Sequence, residues 1–213
     1  MFNISNILFG IPITLIALTV HEFAHGFVSE KLGDPTPRYQ GRLTLNPLAH
    51  LDITGTILMI LTGFGWAKPV SINPNYYKDR TKGMALVALA GPMSNFILAV
   101  IGVFIGSLIA MMLNKAGISS YFIDDLTNVF AWRNLCFMVF NLIPLPPLDG
   151  FKVAGVFLPK KTYYTILQYE QYVIYAIMAL SLLGVFSRFI GTGAVVLRYF
   201  IYSIVERLLL ILF

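Results

Sequence analysis

The chain has 213 residues, 57% of them hydrophobic and only 12% charged; a water-soluble fold covers itself with roughly a quarter charged residues, so an ordinary soluble domain is excluded and a bilayer is the natural solvent. A mean hydropathy of +0.77 and 14% aromatic residues equally exclude a disordered chain. Fifteen Lys+Arg against ten Asp+Glu leave +5, but the basic residues lie scattered between apolar runs as in juxtamembrane loops, with no basic stripe for nucleic acid.

A helix needs about 20 mostly apolar residues to cross the hydrocarbon core, where open strands would leave backbone groups unpaired. The first such run, 4–29, is interrupted only by His21, Glu22 and His25 in its last two turns. It has neither the basic start nor the small-residue cleavage site of a signal peptide, so it reads as mature structure. A shorter run, 53–67, has fifteen uncharged residues. The segments 31–52 and 68–82 around it are polar and rich in Pro and Gly, which predicts loops or short strands. The longest run is 83–114, followed by 126–148 with Arg133 inside, 162–187 with Glu170, and 189–213 with Arg198, Glu206 and Arg207. There is no internal repeat. The expected fold is an all-α polytopic transmembrane bundle of five to six membrane segments, with short strands or loops near the cytoplasmic face. It forms a single domain over 1–213, with a core at about 4–155 and C-terminal helices at about 162–213.

The string His21-Glu22-Phe23-Ala24-His25 is an H-E-x-x-H motif in an apolar helix. Positions i and i+4 share a helical face, so both imidazoles can hold one metal ion while the glutamate acts as general base on water. The competing reading is a pair of solvated or neighbour-satisfied histidines, which the cost of ionisable groups within a span disfavours. A catalytic zinc site ordinarily has three protein ligands. His50 is one candidate for the third. Asp149 is the better one, because Pro144, Pro146 and Pro147 force the chain to unwind just before it. Irregular backbone at membrane depth is tolerated only where protein or a water-filled cavity lines it. Asp149 as a surface residue at a helix stop is the alternative.

H-E-F-A-H in one helix and N-x-x-P-x-P-x-L-D-G at 141–150, on either side of a Gly91-Pro92-Met93-Ser94-Asn95 helix, resembles the site-2 protease family of intramembrane zinc metalloproteases. The resemblance covers about residues 10–155 and is to a compact form, without a PDZ-like or nucleotide-sensing insertion. It implies one Zn2+ per chain on His21, His25 and Asp149, with Glu22 as catalytic acid/base. It also implies that Asn95 and Asn141 face the catalytic cavity and orient substrate or the developing oxyanion. The implied activity is hydrolysis of peptide bonds in or near transmembrane segments of other membrane proteins.

A shared metal requires one depth for His21, His25 and Asp149. Helices 4–29 and 126–148 must then run parallel with an odd number of crossings between them, and 53–67 must be re-entrant or interfacial. On that topology ten basic residues (Lys31, Arg38, Arg42, Lys68, Lys78, Arg80, Lys82, Lys152, Lys160, Lys161) face Lys115 and Arg188 across the membrane. The positive-inside rule then puts the N-terminus outside a cell membrane and the site nearer the cytoplasm. The segments 36–46 and 63–74 are expected to admit water or to pair with an unwound substrate. The rival function is a zinc or other metal-ion transporter or channel, which uses the His/Asp cluster but leaves Glu22 without a task. His50 and Asp52 are candidate outer-shell partners, and Arg133 and Glu170 candidate cavity or interface residues. Gly102 and Gly106 have the small-x-x-x-small spacing that joins helices, within the chain or in a homo-oligomer.

Overall fold

The computed structural model of the chain describes residues 4–55 and 67–212. Its elements are α1 (Ile4–Lys31), the short α2 (Thr36–Tyr39), α3 (Arg80–Lys115), α4 (Tyr121–Asn141), α5 (Asp149–Ala154), α6 (Lys160–Leu167), α7 (Glu170–Leu182) and α8 (Val185–Leu212), with 3-10 turns at Pro47–Ala49 and Pro74–Tyr76. Where loops or short strands are expected, the described residues form loops and short helical turns, with an isolated antiparallel bridge from Leu51 to Ala67.

Contacts between named residues set the direction of each helix. Along α1, Ala17, His21 and His25 meet Asn95, then Gly91 and Val87 of α3 in descending order, so α1 and α3 are antiparallel. Gly106, Gly102 and Asn95 of α3 meet Thr127, Phe130 and Asn134 of α4, which is again antiparallel. α4 therefore runs parallel to α1, as a shared site requires, with Gly10 against Arg133 and His21 against Phe137. α8 returns antiparallel to α4, with Gly193 on Val139 and Tyr202 on Asn128. The core lies between these last three helices, where Ala99, Val103, Ala131 and Leu135 pack on Ala194, Ile201, Val205 and Leu209.

Among the described residues, two helices, α1 from Phe9 and α3, are long and apolar enough to cross a membrane, or three if α7 and α8 act as one broken span. α4 has 21 residues but carries Asp124, Asp125 and Arg133. The run at 162–187 is divided among α6, α7 and the start of α8, with Gly184 in the left-handed region at φ 73°. At about 1.5 Å per residue the 13 residues of α7 fall short of the hydrocarbon thickness.

Residues 56–66, most of the short run at 53–67, lie outside the described residues. Its flanks are described: Lys68 N–H donates to the His50 carbonyl at 2.9 Å beside the Leu51 to Ala67 bridge.

The small-x-x-x-small pair is used inside the chain. A Cβ on Gly106 would lie 2.0 Å from Thr127 Oγ1, and one on Gly102 2.5 Å from Phe130 Cδ1. Gly106→Leu should therefore push α3 off α4 and cost about 1–3 kcal/mol, read as a lowered thermal midpoint of the detergent-solubilised protein.

Candidate metal and catalytic site

The H-E-x-x-H helix delivers His21 and His25 to one side of α1, with ring centroids 4.6 Å apart and rings at 90°. Ligand atoms of His21, Glu22 and His25 all lie within 4.8 Å of one another. From 128 residues further on, Asp149 places Oδ2 at 3.1 Å from His21 Nε2 and at 3.1 Å from His25 Nε2. All three side chains that converge on this point are buried: His21 3% exposed, His25 8%, Asp149 5%.

Proton bookkeeping makes this convergence informative. His25 Nδ1 is 2.7 Å from the Val87 carbonyl, which can only accept, so Nδ1 carries the hydrogen. His21 Nδ1 is 2.7 Å from Asn95 Oδ1, and Asn95 uses Nδ2 to donate to the Ala17 carbonyl at 3.0 Å, so Oδ1 is the atom that faces His21. Each Nε2 thus faces the same carboxylate oxygen, and in a neutral imidazole it is the nitrogen left bare. Two such nitrogens and a carboxylate oxygen at one buried point form a cation-binding donor set. Zinc bonds of 2.0–2.2 Å in a tetrahedron put ligand atoms about 3.3 Å apart, close to the spacing found, so the donor set fits that metal. The committed Nδ1–H groups are the outer-shell bonds that metal-binding histidines ordinarily make.

Local sequence explains how these residues reach one another. A Cβ on Gly91 would fall 2.5 Å from His25 Cε1 and Nε2 and 2.6 Å from His21 Cε1, so α3 can carry only glycine beneath the two rings. Pro92 has no N–H for the carbonyl one turn earlier and loosens the helix there, next to the Val87 carbonyl that His25 uses. On the other side, the proline-rich stretch ends α4 and starts α5 at Asp149. Gly150 is required by close approach: its Cβ would lie 2.2 Å from the Leu142 carbonyl oxygen. Lys152, one turn along, contacts Asp149 Oδ1 at 3.3 Å, leaving Oδ2 for the histidines.

Glu22 is half-buried, and its Oε2 accepts the Val70 N–H at 3.0 Å. The extended segment 68–73 therefore passes directly beside it. That segment is anchored by Asp34, fully buried, which accepts from Ser29 Oγ at 2.8 Å, Asn73 N–H at 2.7 Å and Thr36 N–H at 3.0 Å. Ser29 has given its proton to Asp34, so Tyr77 Oη, 2.6 Å away, donates to Ser29. Burial opposes ionisation of Asp34, but the bonds from Thr36, Asn73 and Ser29 outweigh it and hold the carboxyl below its ordinary range.

The remaining expected site residues lie elsewhere or face otherwise. Asn95 is fully buried, with its amide engaged by His21, Ala17 and Asn134. Asn141 is half-buried at the end of α4 and donates to the Phe137 carbonyl of its own helix. His50 is fully buried, with Nε2 on the Thr44 carbonyl at 2.9 Å; it is not among the residues at the convergence point. Asp52 accepts from Gly55 N–H at 2.8 Å. Sequence reading passed over Gly91, Lys152, Val70 and Asn134. Gly91 had a signal, the Gly-Pro pair inside an apolar run; a main-chain amide such as that of Val70 has none.

Parallel apolar helices joined through a buried His, His, carboxylate cluster with an adjacent glutamate define a membrane-embedded metallopeptidase core. The model of peptidase family M50 matches residues 105–185, a stretch that includes Asp149 and lies downstream of the histidines. YwhC of Bacillus subtilis strain 168, which carries a zinc-metalloprotease name, is 40% identical over 173 residues, covering 80% of this chain and 79% of its own. Two proteins called Rip2, also under zinc-metalloprotease names, are similar as well. That of Mycolicibacterium smegmatis is 32% identical over 151 residues (64% of this chain, 52% of its own), and that of Mycobacterium tuberculosis H37Rv 26% over 180 (79% and 64%). No solved structure matches. The chain belongs to peptidase family M50, the site-2 protease family of intramembrane zinc metalloproteases.

Two outcomes follow from this geometry. Gly91→Ala should raise helix propensity by up to about 1 kcal/mol yet displace both imidazoles, so purified protein keeps its helical circular dichroism and loses bound zinc. Asp34, with its folded-state pKa lowered, contributes stability that is complete above the unfolded value of about 3.9 and is lost as pH falls through the lower folded one. Asp34→Ala should cost about 1–3 kcal/mol at neutral pH and remove that acid-dependent component from thermal melts.

Proposed function

We propose that the chain is a zinc-dependent intramembrane endopeptidase in which His21, His25 and Asp149 hold the metal and Glu22 is the general base. The single observation that carries this is the meeting of two Nε2 atoms with one carboxylate oxygen at 3.1 Å, with both Nδ1 atoms already committed. When bound, zinc supplies Lewis acidity to a scissile carbonyl and brings the pKa of water towards neutrality.

The chain's own residues do the rest. Glu22, adjacent in sequence to one ligand and within ligand reach of both histidines, takes the proton of the attacking water and returns it to the leaving amine. The Val70 amide holds one of its oxygens and so orients the other. Asn95 spends its polar atoms on His21, Ala17 and Asn134, which fits the positioning of a ligand better than contact with substrate. Asn141 remains the candidate for orienting substrate. The substrate class is a transmembrane segment of another membrane protein, unwound locally because a helical amide is hydrogen-bonded and shielded. The extended backbone at 68–73, beside Glu22, is the surface such a strand would meet.

The ten-to-two distribution of basic residues supports a cell-membrane protein with the site nearer the cytoplasm, and the pairing of Leu51 with Ala67 supports a re-entrant 53–67. A single domain over 1–213 is consistent with α8 packing on α3 and α4.

Glu22→Gln should retain stoichiometric zinc and cut a co-expressed single-span substrate about 10²–10⁴-fold more slowly. Asp149→Ala should lose the metal itself, measured by atomic emission on the purified protein. Cleavage at the wild-type rate by Glu22→Gln would remove the glutamate from the mechanism.

A further inference from the structure

Behind His21 a file of buried amides runs from α1 through α3 to α4, and its direction is determined at both ends. Asn134 Nδ2 donates to the Phe130 carbonyl at 2.9 Å, one turn back in α4. A carbonyl only accepts, so Asn134 must turn Oδ1 the other way, where it receives Asn95 Nδ2 at 3.2 Å. The second Asn95 hydrogen goes to the Ala17 carbonyl at 3.0 Å, and Asn95 Oδ1 receives His21 Nδ1–H at 2.7 Å. Reversing any amide in the file would set oxygen against oxygen at Phe130 or Ala17. Both asparagines are 0% exposed, so each relies on its partners within the protein and not on bulk water.

We infer that Asn134 is a positioning residue for the metal. It hydrogen-bonds to none of the three proposed metal ligands, and acts by holding the Asn95 amide so that Asn95 holds His21 with its hydrogen on Nδ1 and leaves Nε2 for the metal. It is the one polar side chain that α4 contributes to this file. α4 also ends in the proline turn that carries Asp149, so the element bringing the carboxylate is tied by Asn134 to the histidine opposite. The orientation of a ligating imidazole depends on what its other nitrogen meets. Here that dependence is passed one residue further, across a helix interface. Asn134 is polar inside an apolar run, and its placement costs stability unless every polar atom has a partner; the file supplies those partners.

This inference rests on the proposed metal site, and its test reads zinc affinity and tautomer instead of cleavage. Full-length protein in detergent would be titrated with zinc against a chromogenic chelator. In the zinc-free form the His21 tautomer would be read from imidazole 15N shifts. Asn134→Leu, close in volume, should weaken zinc binding about 10-fold and Asn95→Ala up to about 100-fold, with the bare Nε2 signal of His21 diminished in both. The double variant should bind no more weakly than Asn95→Ala alone, because Asn134 acts through Asn95. Asn134→Asp, which as the neutral acid can donate to Phe130 and accept from Asn95, should recover most of the affinity. Asn134→Ala serves the same comparison if leucine prevents folding.

Affinity within twofold of wild type for both Asn134→Leu and Asn134→Ala, while His21→Ala loses zinc, overturns the role of Asn134 alone. Additive penalties in the double variant do the same. Wild-type affinity in His21→Ala overturns the metal site itself, and the inference with it.

Discussion

Everything in this molecule is arranged around one electrostatic demand: two imidazole nitrogens are each held 3.1 Å from one carboxylate oxygen in a buried place. Left alone such a cluster would repel itself or capture protons. It can persist as an arrangement of neutral imidazoles and a carboxylate only where a cation completes it, and the surrounding structure is built to keep it so. Asn95 and Val87 hold the far nitrogens as donors, and Lys152 occupies the other carboxylate oxygen.

The bundle supplies the geometry this demand requires. α1 and α4 run parallel because α3 lies between them, and that brings the C-terminal ends of both to one depth. Absence of side chains is as necessary as their presence: α3 passes beneath the imidazoles through Gly91 and against α4 through Gly102 and Gly106. A single methyl at Gly91 would occupy the space of the histidine rings. The Gly-Pro pair thus acts twice, removing bulk at one residue and loosening the helix at the next.

Beside the histidines, Glu22, the proposed general base, is both polar and held in place. Glu22 is held by a main-chain amide in an extended segment, and that segment is pinned in turn by Asp34, Ser29 and Tyr77 at the end of α1. The anchoring network is at the polar edge, where carboxylate burial can be offset by several donors.

The membrane class, the H-E-x-x-H motif on α1, the placing of Asp149 beside it and the parallel relation of α1 and α4 were all legible in the sequence. Periodicity, proline chemistry and the arithmetic of crossings are local or topological rules that need no coordinates. The sequence was a poorer guide to α7 and α8: a continuous apolar stretch at 162–187 conceals the breaks between α6, α7 and α8, because hydropathy does not record where a helix turns. Asn95 illustrates the same limit more sharply. Its motif placed it at the site, but only the tertiary structure decided that its amide is enclosed and turned towards His21, and that Asn134, Val87, Val70 and Lys152 complete the cluster. Apart from Lys152, which is a neighbour of Asp149 in sequence, those partners are chosen by side-chain direction and by main-chain groups 39 to 62 residues from the residue they meet, and a hydrogen bond's direction depends on which acceptors surround it in space, information that no stretch of sequence carries by itself.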